Sequence, residues 1–157
     1  MMSNNFRPAL LVLALGWIGC CTGCGNEIPE LVPMSVTVTS ASGGAVNNAL
    51  VKFVPLMDGL DGSHVASGVT GKDGTCELKL LGSEELGVRA CEHKVIVTEG
   101  PAPDDARAAY FKDKGASIQR FERSLKNRPI PKQYERLFST PLKCSPSAEV
   151  STFEIVL

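Results

Sequence analysis

The sequence predicts an all-β sandwich, and two observations carry that prediction. Short segments of period-two alternation recur at intervals of roughly 10–15 residues and are separated by turn-forming residues. Gly (15) and Pro (10) together supply 25 of the 157 residues, whereas aromatics make up only 6%. That balance suits short strands joined by turns better than it suits a helical bundle. The formal net charge is −1, and with no basic surplus the composition argues against nucleic-acid binding.

The N-terminus reads "MMSNNFRPALLVLALGWIGCCTGCG". Arg7 and the amino terminus form a short positive region, and the uncharged, Leu-rich run from Ala9 to Ile18 follows. That run is too short for a bilayer core, which needs roughly 20 apolar residues, but it fits the apolar core of a secretory signal. Residues 1–23 are therefore read as a signal peptide. No later apolar run is long enough to span a bilayer.

Cys20, Cys21 and Cys24 follow at once, and Cys21 and Cys24 have C-x-x-C spacing. A structural zinc site needs four ligands, and here Cys76, Cys91 and Cys144 stand alone with His64 and His93 as the only histidines. No metal or cofactor is predicted, and no strand–helix context supports a redox pair. "TGCG" after an apolar run instead resembles the lipobox of bacterial lipoproteins, in which small residues precede a cysteine that is acylated and becomes the first mature residue. The resemblance implies lipidation at Cys24, with Thr22 and Gly23 in the small positions. Cys21 stands where Leu is usual, and Cys20 remains a rival site. It further implies export to the bacterial cell envelope and attachment to a membrane through the N-terminal lipid.

Residues 24–33, with two prolines and two acids, read as a tether, and residues 34–157 as one domain. "SVTVT" alternates Val36 and Val38 against Thr37 and Thr39, the pattern of a half-buried strand. "SASGGAVNN" supplies turn chemistry. "ALVKFVP" is a second strand with Val51 and Phe53 on one face, and "LMDGLDGSH" is a loop. Val65 to Thr70, "GKDG" and Thr75 to Leu81 predict a hairpin, because Asp-Gly between alternating runs is a strong turn signal. In its second arm Cys76, Leu78 and Leu80 share the core face. "EHKVIVTEG" is a strand centred on Val95 and Val97, and "STFEIVL" is a terminal strand with Phe153, Ile155 and Leu157 on one face.

Residues 101–129 differ in being charged and Ala-rich. Asp104 and Asp105 suit a helix start, and Phe111, Ile118, Phe121 and Leu125 form a thin helical stripe. Gly115 weakens that helix by roughly 1 kcal/mol relative to Ala, and Pro129 ends it. A helical or partly disordered excursion on the β-domain is expected. His64 and His93 are read as ordinary surface residues, and Asp58 and Asp61 as turn residues, since their spacing matches no EF-hand. Export permits disulfides. Cys91 and Cys144 are a candidate pair if their Cα atoms lie within about 7 Å, and Cys76 is expected to be a buried free thiol.

The order of motifs adds a resemblance. The segments Ala49–Pro55, Ser67–Leu78, Val95 with Val97, Pro131–Tyr134, Thr140–Leu142 and Thr152–Leu157 follow a pattern similar to the transthyretin-like, carboxypeptidase-regulatory-like domains of small bacterial lipoproteins. That family implies a transthyretin-like (prealbumin-like) Greek-key β-sandwich of about seven strands, interrupted here by the excursion near 103–127. Cys76 stands where an aromatic is usual after the Asp-Gly turn. Hydrolases of the wider fold use a His/Arg signature and a C-terminal "Y-R-G-S" motif, whereas this chain ends "STFEIVL". The resemblance therefore implies a non-catalytic structural or adhesion-type binding module with an envelope protein or glycan as partner. A periplasmic small-ligand carrier is the alternative.

Overall fold

A computed structural model describes residues 27–157. The segment read as a signal peptide and the lipobox-like residues, Cys20 and Cys24 included, lie outside the described residues. The described chain is mostly β, with ten strands in three sheets and one helical stretch. The strands are β1 (Leu31–Val32), β2 (Ser35–Thr39), β3 (Ala49–Pro55), β4 (Ala66–Val69), β5 (Thr75–Glu77), β6 (Lys79–Leu80), β7 (Val88–Arg89), β8 (His93–Glu99), β9 (Lys143–Cys144) and β10 (Thr152–Val156). The helices are α1 (Asp104–Ala108), α2 (Tyr110–Asp113) and α3 (Ala116–Ser124).

The larger sheet has the order β6-β4-β3-β8-β9 and the smaller one β10-β2-β5, while β1 and β7 form a two-stranded ribbon. All pairs are antiparallel except β10 with β2, which run parallel with Ile155 beside Val38. Alternation sets the inner faces. Val36, Val38 and Ile155 of the small sheet meet Val51, Phe53, Val95 and Val97 of the large one in a single buried cluster. Each such side chain contributes about 1.5–3 kcal/mol by leaving water, and this shared core makes the two sheets sandwich-like.

The predicted hairpin closes at both ends, at the Asp-Gly turn and where Ala66 and Ser67 pair with Leu80 and Lys79, but its middle parts. Gly71 N–H donates to the Thr75 carbonyl at 2.8 Å, closing the turn. The returning strand then pairs with β2 of the other sheet, placing Cys76 beside Val36. At Leu78, whose N–H donates to the Met34 carbonyl, the chain bends back, and Leu80 pairs with Ala66. One predicted strand thus serves both sheets, with Leu78 wholly buried at the crossing.

The chain is tied to the domain before β1. Ala90 N–H donates to the Glu30 carbonyl (2.9 Å) and Arg89 Nη1 to the Pro29 carbonyl (3.1 Å), so the chain is held to the domain from Pro29 onward. The helical stretch is broken where Lys114 and Gly115 both adopt left-handed backbone (φ 53° and 84°). The Asp113 carboxylate then accepts from the Gly115 and Ser117 N–H groups (3.0 and 2.8 Å) and starts α3 afresh. This break removes Phe111 from the stripe. It is 93% exposed, whereas Ile118, Phe121 and Leu125 are half-buried.

Strand direction gives the sandwich two distinct ends. Ala49 lies opposite Glu99 and Pro55 opposite His93, and the seven residues of β8 separate these ends by about 20 Å. The ribbon and the tether lie at the His93 end. The β2–β3 connection and the segment after α3 lie at the Glu99 end, where Gly100 N–H donates to the Asn48 carbonyl and Asn127 Nδ2 to the Ala45 carbonyl.

Candidate functional site

The Glu99 end carries a cleft of about 270 Å³ between α3 and the sheet. Its apolar walls come from Ala102, Phe121, Leu125 and Pro129, and its polar rim includes Glu99 and Arg128. Arg128 is held by three acceptors. Its Nε donates to Glu99 Oε2 at 2.6 Å, its Nη1 to the Lys126 carbonyl at 3.4 Å, and its Nη2 to the Asn47 carbonyl. With a side chain only 13% exposed, it is a fixed guanidinium on the cleft wall. Glu99 is 47% exposed, and only its Oε2 is taken up by Arg128. The site can therefore take an apolar group of modest size with a polar substituent at the rim. Composition signalled none of this, because the cleft is assembled from segments far apart in sequence.

The His93 end holds a cysteine–histidine cluster. His93 is wholly buried and not on the surface as its place at the start of a strand suggested. The period of two that turns Val95 and Val97 inward extends one step further back. The His93 ring packs on Phe53 with centroids 5.9 Å apart. Its Nδ1–H donates to the Cys91 carbonyl at 2.8 Å, which selects that tautomer. Cys91 Sγ lies 3.9 Å from both ring nitrogens.

Cys76, Cys91 and Cys144 are all free thiols, so the candidate Cys91–Cys144 bridge is not formed. The register explains this. Cys144 lies opposite His93, not Cys91, which stands outside the ladder before β8 begins. Burial pushes the Cys76 thiol up to about 11 and raises Cys144 as well. It also raises Cys91, with Arg89 opposing in part. The Cys91–His93 pair is thus a neutral thiol beside a neutral imidazole, without the depressed thiol pKa of a nucleophilic cysteine.

Burial also holds His93 below its ordinary 6.5, and the Cys91 carbonyl only partly offsets this. Between the folded and unfolded values the unfolded chain binds the extra proton. Stability is therefore full above pH 6.5 and declines as pH falls toward the folded value. The loss is at most about 1.4 kcal/mol per pH unit. Thermal melts at pH 7, 6 and 5 should show a falling midpoint, and His93→Gln should flatten that slope. Parallel slopes for the two proteins would exclude His93 as the cause.

His64 sits apart in the 62–64 turn, mostly covered, with Nδ1 3.0 Å from Asp61 Oδ1. Asp61 caps that turn by accepting from the Ser63 N–H at 2.9 Å. Neither histidine lines the Glu99-end cleft. Among the described residues, no group of three or more His, Cys, Asp and Glu side chains is placed to hold a metal ion. No protein-family model, curated protein or solved structure matches the chain.

Proposed function

We propose that this chain is a lipid-anchored, non-catalytic binding module of the bacterial cell envelope, built on a transthyretin-like Greek-key sandwich. The observation that carries the reading is the opposition of the two ends. The chain enters the domain at Pro29, five residues after the lipobox-like Cys24, whereas the α3 cleft opens at the far end of the strands. An acylated Cys24 would fix the His93 end toward the bilayer and present the cleft outward to an envelope protein or glycan. The neutral Cys91–His93 pair, with burial raising the thiol and lowering the imidazole, favours binding over hydrolysis.

Membrane fractionation of the full chain tests the anchor. Wild-type protein should partition with membranes, and Cys24→Ala should move to the soluble fraction with Cys20→Ala behaving as wild type. Retention of Cys24→Ala on membranes would remove the anchor from Cys24.

A further inference from the structure

We infer that the His93 end of the domain itself rests on the bilayer, seating exposed aliphatic side chains among zwitterionic headgroups. This rests on the lipid-anchor reading above and adds a second, protein-mediated contact to it.

Exposed aliphatics concentrate at this end. Ile28 (58% exposed) lies on the entering chain, and Leu81 (56%) and Leu86 (52%) lie on the β6–β7 connection. Leu56 and Val150 are also exposed. Their backbones place them together, since Leu56 N–H donates to the Glu92 carbonyl and Leu81 N–H to the Val65 carbonyl. Ser35, where β2 begins, donates to the Ser151 carbonyl next to Val150. Gly87, beside Leu86, packs so close to β1 that an added Cβ would lie 2.5 Å from the Val32 carbonyl oxygen. The Leu86 loop therefore stands directly beside the entering chain.

Chain length determines what covers this surface. From Cys24 to Pro29 the backbone reaches at most about 18 Å at full extension. A lipid on Cys24 keeps Pro29 within that distance of the headgroups and so holds the ribbon and the β6–β7 loop beside it on the membrane side, and interfacial binding scales with apolar area buried at the boundary.

Charge selects the headgroup. Glu84 and Glu85 precede Leu86, Glu27 and Glu30 flank Ile28, and Glu149 precedes Val150. Two nearby lysines are paired, Lys79 with Glu84 (2.9 Å) and Lys143 with Glu92 (2.8 Å), while Arg89 donates to the Pro29 carbonyl and keeps its charge. The unpaired acids Glu27, Glu30, Glu85 and Glu149 outnumber the two cations that bond only to carbonyls, Arg89 and Lys94, and this acidic rim is repelled by an anionic surface and complements the ammonium group of phosphatidylethanolamine or phosphatidylcholine.

The test uses the full lipidated chain on vesicles of phosphatidylethanolamine with brominated phosphatidylcholine. The only tryptophan of the sequence is Trp17, which the signal reading removes, so single reporters can be introduced on a Trp17→Phe background. Leu86→Trp and, independently, Leu81→Trp should lose roughly half their fluorescence to the brominated lipid. Val69→Trp, exposed at the Glu99 end, should keep its intensity. Adding phosphatidylglycerol should weaken the quenching, and stronger quenching would overturn the headgroup assignment. A chain that binds vesicles with neither Leu86→Trp nor Leu81→Trp quenched, or with Val69→Trp quenched equally, would overturn the docked orientation alone. A chain that fails to bind vesicles would overturn the anchor and this contact together.

Discussion

Replacing Phe53 by Ala is expected to destabilise the domain by about 3–5 kcal/mol. Phe53 is the largest of the wholly buried side chains and lies on β3, at the middle of the five-stranded sheet. Its ring packs against His93 at 5.9 Å and edge-on against Phe153 at 5.8 Å, joining the large sheet to the terminal strand of the small one. Truncation removes the transfer contribution of the ring, leaves a cavity between two sheets, and strips His93 of its packing partner. Neighbouring backbone cannot collapse into the space, because β3 is laddered to β4 on one side and β8 on the other. Phe153→Ala should cost clearly less, since that ring is only half-buried. Urea unfolding of both variants checks this ordering. A loss below about 1 kcal/mol for Phe53→Ala would place the ring outside the tightly packed core.

The strands of this core were legible because their signal is local. Val36 and Val38, Val51 and Phe53, Val95 and Val97 each declare an inward face by alternation alone, and all six are buried. Where each strand goes next is not a local property. "VASGVTGKDGTCELKLL" carries a strong hairpin signal that the β4–β6 pairing follows, and nothing within it says that Thr75–Glu77 will leave β4 to pair with β2. The parallel pairing of β10 with β2 joins residues more than a hundred positions apart, and no turn specifies it. His93 could have been found, since it shares the parity of Val95 and Val97, but its polarity argued against burial until the Cys91 carbonyl supplied its partner. The cleft was not legible, because Arg128 reaches Glu99 and Asn47 only once α3 has folded back over the sheet end. Phe111 misled because a helical stripe presumes one continuous helix, and the left-handed pair Lys114–Gly115 cancels that phase.

The Asp-Gly turn gives the second large effect, with Gly74→Ala expected to cost about 2–5 kcal/mol. Two separate penalties combine. Gly74 has φ of +80°, where an L-residue pays about 1–2 kcal/mol. A Cβ there would also stand 2.5 Å from the Val38 carbonyl oxygen and 3.2 Å from Ala45 Cβ, so backbone must move. That backbone is not free to yield. Val38 N–H donates to the Gly74 carbonyl and the Val38 carbonyl accepts from Val46 N–H, so displacing Val38 disturbs both the turn and the end of β2. Gly43 separates the two penalties, having φ of +82° but nothing within 4 Å of its added Cβ. Gly43→Ala should therefore show the conformational cost alone, about 1–2 kcal/mol, and the difference between the variants measures the close approach at Val38. Equal losses in parallel urea titrations would mean that the turn relaxes without strain. A larger loss at Gly74 would show that the turn is packed against Val38 too tightly to admit a Cβ.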